Sequence, residues 1–177
     1  DSSNSVVGSA GMISKVYFPR LVLPASAVTV GLVDLVVPFF ILLGMLAWYG
    51  HAVSWRILLL PGFLLLAVMA ALGLGLILCA LNVRYRDVRH LLPFLIQSGL
   101  YLSPVGFSSS VVPAKWQLVY SLNPMVGVID GFRWAVLGGD VPLYLPGLLA
   151  SGAIGGGLLV GGVHYFRRAE RRFADVI

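Results

Sequence analysis

Four apolar runs divide the chain, at 23–48, 57–80, 91–106 and 142–166. A helix rises ~1.5 Å per residue and a bilayer hydrocarbon core is ~30 Å thick. The first, second and fourth runs are long enough to span such a core. Pro38 is expected to kink the first of them. The third gives only ~24 Å of helix, and Pro104 marks where it breaks. The stretch 107–141 is too apolar and aromatic for an ordinary loop. Asn123-Pro124 cuts it into halves of ~10–14 residues, a length typical of re-entrant or interfacial segments. The pattern predicts two short helices that dip into the membrane from outside. Irregular backbone is tolerated at that depth only where protein buries it or a wet cavity receives it. The predicted fold is an all-α membrane protein, read as one domain over 1–177. It has four transmembrane helices and an external re-entrant helical hairpin at 107–141.

The ends are more polar. Residues 1–22 read as a cytoplasmic loop that contains a short amphipathic helix at 12–18, MISKVYF. Ile13, Val16 and Tyr17 share one face at i, i+3, i+4 spacing. Pro19 ends it, and Lys15 and Arg20 flank it. Such a helix either lies on the membrane as an anchor or docks a soluble partner. Residues 167–177 form a second cytoplasmic segment. The chain starts at Asp1 without a methionine and shows no signal peptide, the expectation for a fragment of a longer chain.

Composition supports the membrane class. Apolar residues make up 59% of the chain and charged residues 11%, against about 25% charged in soluble domains. Mean hydropathy is +0.95. The net charge of +5 does not point to nucleic acid, because the basic residues sit in short clusters beside apolar runs. The sharpest cluster is 81–90, LNVRYRDVRH, between the second and third runs. A short Lys/Arg-rich loop between spans faces the cytoplasm. Crossings counted from there put Lys15, Arg20, Arg84, Arg86, Arg89, Arg167, Arg168, Arg171 and Arg172 inside. Only Arg56, Lys115 and Arg133 fall outside. This agrees with the positive-inside rule when the hairpin adds no net crossing. Trp48, Tyr49 and Trp55 fit an outer aromatic belt.

Few side chains carry candidate chemistry. Asp34 is the one clear ionisable group inside a span. A carboxylate there costs roughly 2.5–3.5 kcal/mol on insertion scales, so it should face other helices or a wet cavity. An interhelical hydrogen bond and a transport role both remain open for it. Cys79, the single cysteine, reads as a small buried hydrophobe. Gly152/Gly156 and Gly157/Gly161 have GxxxG spacing, which predicts a close helix contact within or between subunits. Asp130 and Arg133 are three apart and can pair, as a structural bridge or a gate element. The sequence has no GxxxxGK[ST] phosphate loop, no HExxH and no GxSxG turn. An enzyme is therefore not expected, and no cofactor or metal is expected in this chain.

Four blocks carry a family resemblance: VYFPRLVLP at 16–24, LNVRYRDVRHLLPF at 81–94, SLNPMVGVIDGFRWAVLG at 121–138 and YFRRAERRFADVI at 165–177. In that order they resemble the permease subunits of ABC-2-type exporters for polysaccharides and polyol phosphates: O-antigen, capsule and teichoic acid. The resemblance covers nearly the whole chain. It implies six membrane helices in all, with two spans and an amphipathic helix upstream. It also implies a homodimer in the bacterial inner membrane, with two copies of a separate ATPase that binds ATP and Mg. The cargo would be a polysaccharide or lipid-linked glycan. The family's coupling helix maps onto Met12, Ile13, Lys15, Val16, Tyr17 and Phe18. Its re-entrant exit helices map onto 113–137, where Trp116, Tyr120, Phe132 and Trp134 either stack on sugar rings or hold the hairpin at the headgroups. Asp130 and Arg133 join them as gate candidates, with Tyr101 and Phe107 as weaker channel residues. The tail arginines anchor to anionic headgroups or touch the ATPase. The rival readings are a permease of the same superfamily for a lipid or drug, and a membrane enzyme acting on lipid-linked sugar.

Overall fold

A computed structural model describes residues 22–50, 54–85, 87–138 and 143–170. The described residues form helices and no strand. The elements are α1 (Val22–Asp34), α2 (Val36–Trp48), a 3-10 turn (Trp55–Leu59), α3 (Leu60–Arg84), α4 (Val88–Leu102), a second 3-10 turn (Ser109–Val111), α5 (Ala114–Tyr120), α6 (Pro124–Leu137) and α7 (Leu145–Glu170). The docking-helix residues Met12, Ile13, Lys15, Val16, Tyr17 and Phe18 lie outside the described residues, as do Arg171 and Arg172.

Among the described residues, three helices are long and apolar enough to cross a membrane: Pro24–Trp48, Trp55–Arg84 and Leu145–Glu170. The first is interrupted at Leu35, between α1 and α2. The cause is Pro38: with no N–H, it leaves the Asp34 carbonyl without its helical donor. The ladder holds on either side, with Leu35 N donating to Gly31 O (3.2 Å) and Phe39 N to Leu35 O (3.0 Å). The proline thus acts one turn before its own position.

The core is the packing of α3 on α7. The two helices run parallel. Phe63 lies in one apolar cluster with Leu148. Further along, Leu66 and Ala70 meet Gly155, and Gly73 meets Gly162. Cys79 and Val83 close the far end against Phe166 and Ala169. Cys79 is fully buried there, as its apolar surroundings in the sequence suggested. At Gly73 the backbones come so close that any Cβ would strike the Leu158 carbonyl group and Leu159 N. The glycines that make the contact are therefore Gly73, Gly155 and Gly162. Of the two GxxxG pairs read from the sequence, Gly152, Gly157 and Gly161 face open space, and Gly156 meets only the Met69 side chain.

Parallel packing sorts the polar ends. Arg84, Arg167 and Arg168 close one end of the α3/α7 pair. Trp48, Tyr49 and Trp55 are exposed at the other, next to the start of α3. The arginine-rich turn is shorter than the sequence suggests. Helix α3 continues to Arg84 and α4 starts at Val88, so Arg84 and Arg89 sit on helix ends. Arginine is a good helix former, and at a C-terminus its charge complements the helix dipole. Helix α4 has 15 residues, or about 22 Å, and ends at Leu102, two residues before Pro104. It buries only Leu92. The third span of the sequence pattern is thus a short, outward-lying helix. Much of the remaining surface is large apolar side chains, such as Val37, Phe40, Ile41, Phe94 and Ile96.

Candidate functional site

The site is built on Asn123-Pro124. Proline at the first helical position is pre-set for a helix and needs no N–H there. Asn123 caps α6 by accepting from Met125 N through its side chain (3.0 Å). Its Nδ2 donates to Ser103 Oγ (3.0 Å), which ties the end of α4 to the junction. Gly138, with φ of 77°, ends α6 in a conformation that disfavours side chains with a Cβ.

Below the junction, Ser151 of α7 is completely buried. Its hydroxyl donates to Ser121 O (3.0 Å) and accepts from Gly127 N (3.2 Å). One hydroxyl thereby holds the end of α5 and the first turn of α6 on a spanning helix. Gly127 is required here, because a Cβ would overlap the Ser151 side chain. Ser151→Ala strands a buried N–H and a buried carbonyl, an expected cost of about 1–3 kcal/mol. The check is a thermal melt in detergent, and an unchanged midpoint would show that the knot contributes nothing. The sequence reading missed Ser151. Its signal was a small polar residue at i, i+4, i+8 spacing between Gly147 and Gly155.

Arg133 makes the second tie. Its Nη1 donates to Phe107 O (2.6 Å) and its Nη2 to Val105 O (3.0 Å). The i, i+3 approach to Asp130 is only 4.0 Å. The guanidinium therefore serves mainly to clamp the segment after α4, and the Asp130 pair expected from spacing is a minor contact. Burial pushes the Asp130 carboxyl above its usual range, opposed by a hydrogen bond from Ser109 and by the Arg133 charge. Burial also raises the Tyr120 phenol, helped by Asp130 and opposed by Arg133.

The aromatic candidates do not form one surface. Phe107 and Tyr120 approach each other (ring centroids 6.4 Å apart) beside Asp130 and Arg133. Phe132 packs against Phe63 (6.4 Å) on the far side of α6, where Gly131 gives the Phe63 ring room. Trp134 lies under the Arg56 guanidinium, 4.8 Å from its ring centroid, a cation–π contact. Trp116 is 56% exposed on α5 and Tyr101 is 74% exposed on α4, apart from the rest. Asp34 is exposed at the α1/α2 break, and no described helix covers it.

The model of the ABC-2 type transporter family matches residues 7–137. The chain belongs to that family. An O-antigen export system permease protein RfbA from Myxococcus xanthus is 32% identical over 99% of this chain and 70% of its own length. A permease of the same name from Klebsiella pneumoniae is 26% identical over 98% of this chain and 66% of its own length. The inner membrane transport permease YadH of Escherichia coli is 35% identical over 51% of this chain. The chain spans about two thirds of the length of the O-antigen permeases it matches. It is an ABC-2 permease homologous to O-antigen export permeases, and an integral membrane protein. In this ABC-2 chain Ser151 holds the short helices on α7, and Asn123 and Arg133 tie the end of α4 and the segment after it to α6.

Proposed function

We propose that this chain is the membrane subunit of an ABC exporter that moves a polysaccharide, in lipid-linked form, outward across a bacterial inner membrane. The observation that carries this reading is similarity, over 98–99% of this chain, to permeases named for O-antigen export. The arginine-bearing end of α3 and α7 is then cytoplasmic, and the short helices stand at the outer face. Two copies of the permease pair with two copies of a separate ATPase, which binds the ATP and Mg. Closure of the ATPase on ATP pushes on Met12, Ile13, Lys15, Val16, Tyr17 and Phe18. The helices shift and open a path at the dimer interface, with the short helices at its exit. No residue of this chain makes or breaks a bond. A different cargo, such as a lipid or drug, is the second reading. It is favoured by the similarity to YadH, whose name carries no glycan.

The test is a pull-down of the tagged full-length protein from native membranes in mild detergent, followed by mass spectrometry. A stoichiometric subunit with a phosphate loop is expected to come with it. A Tyr17→Ala/Phe18→Ala double variant is expected to lose that subunit and glycan export together while keeping its melting temperature. Wild-type protein that emerges alone under several detergents would remove the exporter reading.

A further inference from the structure

A cavity of about 250 Å³ opens between the second 3-10 turn, the two short helices and the start of α7. It is separate from the Phe132 and Trp134 surface, and the transport cycle described above makes no use of it. Its walls include Ser108, Ser109, Gln117, Tyr120, Asp130 and Tyr144. These supply hydroxyl, amide, phenol and carboxyl groups, both donors and acceptors, arranged around a small space. Two phenol rings add flat apolar faces. The volume is just below the ~300 Å³ at which drug-sized sites begin, which suits one ring and not a chain.

The charges decide which ring. No lysine or arginine is among the described lining residues. Arg133 is paired with Asp130 at 4.0 Å and turns an N–H of each Nη away to the Phe107 and Val105 carbonyls. A phosphate or uronate entering here would meet the Asp130 carboxyl, and the described lining adds no cation of its own to bind the incoming charge. An acyl chain would strand the polar walls. A neutral polyhydroxyl ring can satisfy them. One observation shows that the wall is incomplete as it stands: Tyr120 Oη is buried without a hydrogen-bond partner. Buried hydroxyls nearly always have one, so a guest hydroxyl has a reason to be there.

We propose that this cavity holds a single neutral pyranose residue of the exported glycan, so that the permease handles neutral-sugar polymer in preference to polyol phosphate. This rests on the glycan-export reading and narrows it. Gln117 and Asp130 orient ring hydroxyls, and the Tyr120 phenol takes one directly.

The experiment uses the full-length permease with its ATPase in nanodiscs and saturation-transfer NMR. The probes are the methyl glycosides of glucose, mannose, galactose and rhamnose, with methyl glucuronide and glycerol phosphate as anionic counterparts. At least one neutral glycoside is expected to show saturation transfer, and both anionic probes none. Ser109→Trp, which fills the cavity, is expected to abolish the signal. Tyr120→Phe has no internal hydrogen bond to lose and should fold normally, and it is expected to cut the signal about fivefold. A signal from the anionic probes alone, no signal from any probe at tens of millimolar, or a neutral signal unchanged in both variants would each overturn the proposal. Glycan export in cells is scored for the same wild-type complex. Export without glycoside binding removes the cavity assignment and leaves the exporter; a glycan surface indifferent to deletion of the permease removes the exporter reading itself.

Discussion

Gly73→Leu is expected to separate α3 from α7 and to lower stability by about 3 kcal/mol or more, the upper end of what overpacking costs. Even alanine supplies the offending atom, since a Cβ at Gly73 overlaps the backbone of Leu158 and Leu159. A flexible side chain could turn away from the intruder, but a helix backbone cannot. Gly162 sits opposite, and a Cβ there would overlap the Gly73 backbone, so the facing helix cannot yield either. In a bilayer this matters more than in water. Lipid is as apolar as leucine, so helices associate through close van der Waals contact, and glycine is what permits it. The matched control is Gly157→Leu on the same helix. Gly157 has open space around it, so the substitution should stay within about 0.5 kcal/mol of wild type, as surface changes do. Thermal melts in detergent, read by fluorescence-detected size exclusion, compare the two. Equal midpoints for Gly73→Leu and Gly157→Leu would sink the assignment of the α3/α7 contact.

The same pair of positions shows how far the sequence could be read. Run length alone marks the long helices, because crossing ~30 Å of hydrocarbon sets a minimum length. Asn123-Pro124 is legible because capping is local chemistry: an asparagine side chain next to a proline specifies a helix start whatever lies around it. Facing is not local. Helix α7 has glycines at 147, 152, 155, 156, 157, 161 and 162, so four-residue glycine spacing occurs on two of its faces. Which face is used depends on where α3 places Gly73 and Phe63, and one helix read alone cannot show that. The Asp130/Arg133 spacing was read correctly as a pair, at 4.0 Å, but it hid the guanidinium's closer partners for a related reason. An i, i+3 pair is available to any exposed helix, but two backbone carbonyls from 26 and 28 residues earlier in the chain reach the guanidinium more closely. The aromatic candidates divide similarly. Composition put Phe107, Tyr120, Phe132 and Trp134 in one region, and only packing assigns two to the polar side and two to the apolar cluster.

Arg133→Met is expected to release the segment at Val105 and Phe107 and to cost about 1–3 kcal/mol. Hydrogen bonds from a charged donor are worth roughly 1.5–3 kcal/mol each, but the Arg133 side chain is 24% exposed, so solvent recovers part of the loss. The effect should depend on pH. Removing the guanidinium takes away one of the two groups that lower the Asp130 carboxyl, so burial raises it further. A carboxyl raised in the folded state favours folding while it is protonated, and that contribution disappears as pH climbs through its folded value. The variant's deficit should therefore be smaller near pH 4 than near pH 7, with wild type changing less over the same range. Arg133→Lys separates the two roles. An ammonium restores the charge beside Asp130 but lacks the planar fork that reaches two carbonyls at once. It should recover the wild-type pH dependence and still melt below wild type. Amide hydrogen exchange over 103–107 supplies the structural readout, faster in both variants if the clamp is what orders that segment. An Arg133→Lys protein equal to wild type in both melting temperature and exchange would show that charge alone suffices and that the paired carbonyl contacts are incidental.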